Sequence, residues 1–146
     1  MDIYINGNLA DNIKNKYVDN LNNFIEKFKL KKDIITYKGT NEKYYKNLKI
    51  REIFKDKVFY STAINYEQAM DFEYDHTKCD EEGYKWILLE IQVPKNTKCL
   101  YISYSTDNND GNFIINEREL LLSNKLKYKV KDINNGKIVL EVINGD

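Results

Sequence analysis

The residue types best suited to chemistry are two glutamates, Glu117 and Glu119, which flank one arginine at the start of an apolar run. On a formed strand, side chains two positions apart face the same side, so both carboxylates would enter one cleft. Two carboxylates in one cleft suit acid/base work on a glycosidic bond. The same spacing also fits an exposed polar strand entrance, which is common in charged proteins. The pair alone therefore leaves both interpretations open.

Two further segments carry groups that would assist such a site. In the run Phe-Tyr-Ser-Thr-Ala at 59–63, the hydroxyls of Ser61 and Thr62 could position a carboxylate, bond a neighbouring strand or cap a helix. Tyr37, Lys38 and Gly39 place a cation at a predicted strand end, beside a glycine that lets a ligand approach the backbone. Neither segment identifies a function by itself, because hydroxyls and lysines are abundant in this chain.

Other kinds of site find little support in the sequence. His76 is the single histidine, and Cys79 and Cys99 have neither C-x-x-C spacing nor a recognisable base partner. A metal site or a thiol nucleophile is therefore not expected. Phosphate-binding glycine motifs are absent, and the 12 tyrosines scatter along the chain without forming a stacking platform for nucleic acid.

Length and composition favour one soluble globular domain spanning residues 1–146. The chain is 42% apolar and 32% charged, and its 23 basic and 23 acidic residues give zero net charge, which argues against a nucleic-acid partner. We find no signal peptide and no apolar run of the roughly 18 residues that would span a bilayer. We therefore expect no membrane partner and a location in the cytoplasm of the producing or infected cell.

Hydrophobic periodicity predicts helices and short strands first, then a strand-rich half. The first half is predicted to begin with a helix through Leu9, Ile13, Tyr17, Leu21, Phe24 and Phe28. A strand at 34–38, a second helix at 41–54 and a strand at 58–61 are predicted to follow. A short helix through Tyr66, Ala69, Met70 and Phe72 and a loop at 73–84 are predicted to complete this half. The second half is predicted to contain strands at 86–93, 98–103, 119–122, 126–130 and 138–142, with an unstructured connection at 106–111. This order predicts an α+β fold.

The order of the three polar segments resembles that of the bacterial ADP-ribosyltransferase exoenzymes. That family has an aromatic-arginine pair, then a Ser-Thr-Ser strand, then an E-x-E turn, and here the corresponding residues are Tyr37-Lys38, Ser61-Thr62-Ala63 and Glu117-Arg118-Glu119. The resemblance covers residues 34–142 and includes a hairpin of two central strands at 88–102. It implies a single-domain fold of two packed, mostly antiparallel β-sheets around an NAD cleft, with N-terminal helices.

The resemblance also implies roles for individual residues. Glu119 corresponds to the catalytic glutamate that binds the nicotinamide ribose, and Glu117 to the glutamate that contacts an acceptor guanidinium. Ser61 would orient Glu119, and Thr62 would tie the cleft edges together. Both are expected to contribute to the NAD site.

The remaining NAD contacts would come from two regions. Tyr37, Lys38 and Gly39 would hold the phosphates, and Phe72 with the loop at 73–84 would cover nicotinamide. Residues 104–116 would form the acceptor-recognition loop. Lys38 replaces the family arginine and lacks its planar, bidentate donors, so weaker NAD binding or a different pose is expected. Ala63 replaces the final serine of the second motif.

The function implied is NAD-dependent mono-ADP-ribosylation of a protein, with arginine as the favoured acceptor and Arg118 as a self-modification site. Both a phage anti-defence protein, including the anti-CRISPR type, and an effector toxin are settings for this activity. The alternatives are a degenerate fold that inhibits a partner by binding to it, and NAD hydrolysis without a protein acceptor.

Overall fold

The computed structural model describes residues 11–56, 58–64, 79–107 and 114–143, apart from the side chains of 11–15, 103–107 and 114–117. Its elements are helix α1 (Asp11–Ile25), a short 3-10 helix (Glu42–Tyr44) and eight strands. The strands are β1 (Ile34–Asn41), β2 (Ile53–Lys55), β3 (Tyr60–Ala63), β4 (Trp86–Val93), β5 (Cys99–Asp107), β6 (Ile114–Leu122), β7 (Lys127–Asn134) and β8 (Lys137–Ile143).

All eight strands join one hydrogen-bonded sheet in the order β2-β7-β8-β4-β1-β3-β6-β5. Every neighbouring pair is antiparallel except β4 and β8, which run parallel. The predicted α+β class is therefore correct, with a mostly antiparallel sheet. Two details are not confirmed: the strands form one continuous sheet instead of two, and the described residues contain one α-helix instead of several N-terminal helices.

The two faces of the sheet bury different apolar sets. The main core lies on one face and includes Leu89 and Ile91 of β4, both 0% exposed. Leu88 of the same strand is buried on the other face, so the continuous apolar run of β4 in the sequence reflects burial on both faces. On the other face, Ile25 of α1 packs against Phe59 and Leu121. Successive residues of β6 thus pack into different apolar clusters, Leu120 into the main core and Leu121 against the helix. The helix covers the face opposite the main core.

The second predicted helix, at 41–54, is wrong. β1 continues to Asn41, whose side chain accepts a hydrogen bond from the Lys43 backbone N–H and caps the short 3-10 helix. Arg51 has a φ of 75°, a left-handed conformation that a helix cannot contain, and β2 then begins at Ile53. Pairing of β2 with β7 satisfies backbone groups that a helix would have satisfied internally.

Two strands are longer than predicted. β5 ends at Asp107 and β6 starts at Ile114, and the ladder between them extends to the pair Asp107↔Ile114. Positions 104–107 and 114–116 of the predicted recognition loop are therefore strand, and positions 108–113 lie outside the described residues. The predicted connection at 106–111 likewise overlaps β5. Polar composition concealed these strand ends, because backbone pairing at a sheet edge does not require apolar side chains.

Several other predictions can be placed directly. α1 lies within the predicted first helix, and β4 matches the predicted strand at 86–93. The predicted short helix through Phe72, and positions 73–78 of the predicted loop, lie outside the described residues. Within the described part of the chain, no helix combines the length and apolar character needed to cross a bilayer.

Candidate active site

Glu119 lies near the middle of a three-strand group. In the ladder it is opposite Ala63 of β3 on one side and Ile102 of β5 on the other. Ser61 is two residues from Ala63 on the same strand, so it is a diagonal neighbour of Glu119 on the same face of the sheet. The Ser61 Oγ donates a hydrogen bond to Glu119 Oε1 at 3.3 Å. The structure thus brings together a hydroxyl and a carboxylate that are 58 residues apart in sequence.

The Ser61–Glu119 hydrogen bond is longer than the usual O–H···O distance of about 2.7–2.8 Å. Such bonds are often long before a substrate is bound and shorten in the reactive complex. Both side chains are partly exposed. The carboxylate is therefore oriented by one donor and still has acceptor capacity for a ligand hydroxyl.

Thr62 lies behind this pair, on the buried face. Its Oγ1 donates to the backbone carbonyl of Leu120 at 2.6 Å and accepts from Thr36 Oγ1 at 2.5 Å. Thr62 is 2% exposed, so these contacts are made in the interior. The structure places Thr62 where it ties strands together, with its hydroxyl on the opposite face from Ser61.

Tyr37 and Lys38 leave β1 on opposite faces. Tyr37 is opposite Ala63 in the ladder and packs against Ala63 and Leu88. The Lys38 Nζ instead lies 5.9 Å from the ring centroid of Tyr60, a residue of the main core. The structure therefore does not place the Lys38 side chain on the face that carries Glu119.

A surface cleft of about 410 Å³ adjoins Lys38 and Gly39. It is also lined by Lys43 and Trp86, and by three acidic residues, Asp80, Glu81 and Glu82. Lys43 Nζ lies 3.9 Å from Glu82 Oε1. The cleft therefore combines two lysines with a more numerous set of carboxylates, so its charge is mixed instead of simply positive.

The acidic wall of the cleft is built by a tight turn around Asp80. The Asn41 Nδ2 donates to Asp80 Oδ2 at 2.7 Å, and the backbone N–H groups of Glu82 and Tyr84 donate to Asp80 Oδ1. Burial is the largest single influence and raises the pKa of Asp80, but the hydrogen bonds from Tyr84, Asn41 and Glu82 together hold this pKa below its usual value. Asp80 is thus an anion whose two carboxylate oxygens accept hydrogen bonds within the turn and from Asn41.

Beneath Lys38, tyrosines that are scattered in sequence form a buried stack. The Tyr60 and Tyr128 rings stack with centroids 5.0 Å apart, and the Tyr60 hydroxyl donates to Asp56 Oδ2 at 2.8 Å. The Tyr45 hydroxyl lies 3.0 Å from that of Tyr60. Burial raises the pKa of Tyr45 to about 12, and burial together with Tyr45 and Asp56 raises the pKa of Tyr60 further. These phenols are neutral structural groups at ordinary pH.

Two predicted site residues cannot be placed by their side chains. Glu117 is part of β6 and pairs with Tyr104 through the backbone, and its side chain is outside the described set. Phe72 also lies outside the described residues. Conversely, sequence reasoning missed Thr36, Lys43 and Asp80. The turn signal around Asp80 and Gly83 marked only a loop, and nothing in the sequence indicated that it faces Lys38.

Comparison with known proteins settles the family. The profile of the ADP-ribosyltransferase exoenzyme family matches residues 4–144. This chain belongs to that family. Among curated relatives, NAD(+)–arginine ADP-ribosyltransferase EFV of Enterococcus faecalis is 35% identical over 125 residues. The match covers 86% of this chain and 23% of that protein, so the chain spans about a quarter of the length of the relative.

Solved structures of the family have the same fold. The ADP-ribosyltransferase Vis of Vibrio splendidus, solved with agmatine, superposes with a TM-score of 0.64 at 15% identity, over 99% of this chain and 66% of Vis. BECa, an ADP-ribosylating toxin of C. perfringens solved with NADH, has a TM-score of 0.65 at 16% identity, over 95% of this chain and 37% of BECa. The predicted ADP-ribosyltransferase fold is therefore confirmed.

Proposed function

We propose that this chain is a mono-ADP-ribosyltransferase that cleaves NAD and transfers ADP-ribose to arginine side chains of a protein. The observation that carries this proposal is the Ser61–Glu119 hydrogen bond on the exposed face of β3 and β6. A degenerate fold that acted only by binding would not need this pair. Three relatives support the chemistry: the name of EFV specifies NAD and arginine, BECa is solved with NADH, and Vis is solved with agmatine, which carries a guanidinium.

Glu119 is the proposed catalytic residue. Its carboxylate accepts a hydrogen bond from the 2′-hydroxyl of the nicotinamide ribose, and its charge stabilises the oxocarbenium ion that forms as the glycosidic C–N bond breaks. Nicotinamide leaves with the bonding electron pair. Ser61 holds one carboxylate oxygen, so the other oxygen faces the ribose.

Glu117 is the proposed acceptor residue. A guanidinium is a weak nucleophile while it is protonated, and a carboxylate beside it can orient it and accept the proton released on attack. An arginine nitrogen then bonds to the ribose carbon that nicotinamide has left. Tyr37, Lys38, Gly39 and Phe72 remain the proposed NAD-binding residues, with Lys38 supplying charge to the phosphates. Thr62 is not among them, because it is 2% exposed and its hydroxyl bonds Leu120 and Thr36 in the interior.

The protein substrate is proposed to be a cytoplasmic protein of the cell that makes or receives this chain. Two of the related proteins, Vis and BECa, are toxins by name, which favours an effector toxin over a phage anti-defence protein.

The test uses NAD labelled on its adenine half, with agmatine and a cell lysate as acceptors. We expect label on agmatine and on discrete lysate proteins, release of free nicotinamide, and loss of both with Glu119→Gln. Glu141→Gln, a control at a half-buried glutamate of β8 that pairs with Lys131, should keep the activity. Nicotinamide release without labelled acceptor would identify a hydrolase, and no release from the wild type would support the binding protein.

Arg118 offers a second readout of the same activity. It is exposed, and as the sequence neighbour of Glu119 in β6 it faces the other side of the sheet, so we propose it as a site of self-modification between two copies of the chain. Mass spectrometry after incubation with NAD should find an added ADP-ribose on the peptide that contains Arg118, and Arg118→Lys should remove it. Modification confined to Arg51, the other arginine of the chain, would refute this assignment.

A further inference from the structure

The seam between β1 and β3 has little backbone pairing. β1 pairs with β4 through eight residue positions, and all four residues of β3 pair with β6. Among the described residues, β1 and β3 share a single registered pair, Tyr37↔Ala63. This seam separates the strand that carries Lys38 from the strands that carry Ser61 and Glu119. The relative position of the two halves of the site therefore depends on what else crosses the seam.

A side-chain hydroxyl crosses it. The Thr36 Oγ1 lies 2.5 Å from Thr62 Oγ1 and 3.0 Å from the Ala63 carbonyl oxygen. Thr36 is 0% exposed, so water does not compete for these contacts. Because the Thr62 hydrogen is directed at the Leu120 carbonyl, Thr62 can only accept from Thr36. The bonds thus run in one direction, from β1 through β3 to β6, and end at the residue next to Glu119.

We propose that Thr36 is a positioning residue that clamps β1 to β3 and thereby fixes the NAD-holding strand relative to Glu119. The kinetic part of this inference rests on the proposed function. The Thr36 hydroxyl has one hydrogen, which Thr62 Oγ1 and the Ala63 carbonyl oxygen are both placed to accept. Its removal takes away a buried side-chain donor that links β1 to β3 here, while the backbone ladder at this seam offers little substitute. Small displacements between a substrate-holding element and a catalytic group lower turnover strongly.

The clamp can be tested without NAD by hydrogen exchange of backbone amides in Thr36→Val, which keeps the shape of the side chain and removes the hydroxyl. Thr97→Val is the matched control, because Thr97 is also 0% exposed but lies in the turn between β4 and β5. We expect amides of β3 and of β1 near Tyr37 to exchange about tenfold faster in Thr36→Val, from the loss of one buried hydrogen bond. Thr97→Val should leave these amides unchanged. Unchanged exchange at the seam in Thr36→Val would overturn the proposal.

If Thr36→Val does not fold, Thr36→Ser and Thr36→Ala provide the same contrast. Both lack the methyl group, and they differ only in the hydroxyl. Thr36→Ser should protect the seam amides as the wild type does, and Thr36→Ala should not. Equal exchange in these two variants would show that the hydroxyl is not the clamp.

Kinetics distinguish positioning from simple stability. In Thr36→Val, kcat for nicotinamide release should fall about tenfold while KM for NAD changes about twofold or less, with recovery in Thr36→Ser. Faster seam exchange with unchanged kcat in an active wild type would refute positioning. An inactive wild type with the expected exchange pattern would refute the proposed function and leave the clamp supported.

Discussion

The two halves of the candidate site are held by different forces. Around Glu119, the contacts are hydroxyl and backbone hydrogen bonds, several of them buried, such as the Thr62 bond to Leu120. Around Lys38, the cleft is lined by charges that water reaches, including half-buried Lys43 and exposed Glu82. Buried neutral bonds resist salt, whereas exposed charges are screened over a Debye length of about 8 Å at physiological ionic strength. We infer that one half fixes a catalytic geometry and the other tunes ligand affinity.

The largest expected effect is at Glu119. Glu119→Gln preserves shape and removes the charge, so kcat should fall roughly 10²–10³-fold, the usual loss when one group that stabilises transition-state charge is removed. KM for NAD should stay within about threefold, because the charge acts mainly in the transition state. Steady-state nicotinamide release over a series of NAD concentrations, repeated at two salt concentrations, measures kcat and KM. A rise in KM at constant kcat would place Glu119 in ligand binding and remove the contrast between the halves.

Ser61→Ala should have the next largest effect. Loss of the donor at 3.3 Å leaves the Glu119 carboxylate less oriented, and kcat should fall about tenfold, in keeping with one hydrogen bond to a charged group. Thermal unfolding should shift little, because Ser61 is only partly buried. A crystal structure of Ser61→Ala would show whether Glu119 turns away. An unchanged kcat would mean that the hydroxyl does not orient the carboxylate.

Lys38 should affect NAD affinity more than turnover. Lys38→Ala should raise KM for NAD about fivefold at low salt and less at high salt, because a point charge on a phosphate is screened. Lys38→Arg should lower KM if the family arginine geometry can be regained. Lys127→Ala, an exposed lysine on β7, controls for the change in net charge. A loss confined to kcat would show that Lys38 acts in the chemistry, contrary to its position on the opposite face.

The smallest effect on activity is expected at the tyrosine stack. Because burial raises the pKa of Tyr45 to about 12, unfolded chains ionise this phenol near pH 10 while folded chains do not. The stabilising contribution is therefore fully present below pH ~10 and is lost as pH rises toward ~12. The midpoint of thermal unfolding should fall over that window, and less steeply in Tyr45→Phe. Equal slopes in the two proteins would contradict the assignment, and kcat at pH 7 should be the same in both.

The sequence predicted the Glu119 half better than the Lys38 half, for physical reasons. The apolar run of β4 and the E-x-E segment are local sequence patterns. Each has one structural interpretation once its neighbours along the chain are considered. The face on which Lys38 lies depends on the register of β1 against β3, in which Tyr37 is opposite Ala63, and no local pattern encodes that register. Likewise, the lysine-rich segment at 41–54 has helical spacing, but pairing of β2 with β7 overrode it.

The parallel pairing of β4 with β8 bears on the stage of folding at which the site forms. The strands that meet at the site, β1, β3 and β6, come from distant parts of the chain, and β4 is completed on its other side only by the last described strand. Each of these pairings must first overcome loop-closure entropy, and folds dominated by such contacts form slowly, over about milliseconds to seconds. The proposed activity would therefore appear late in folding. A chain interrupted before β8 would carry Ser61 and Glu119 without a stable sheet to hold them together.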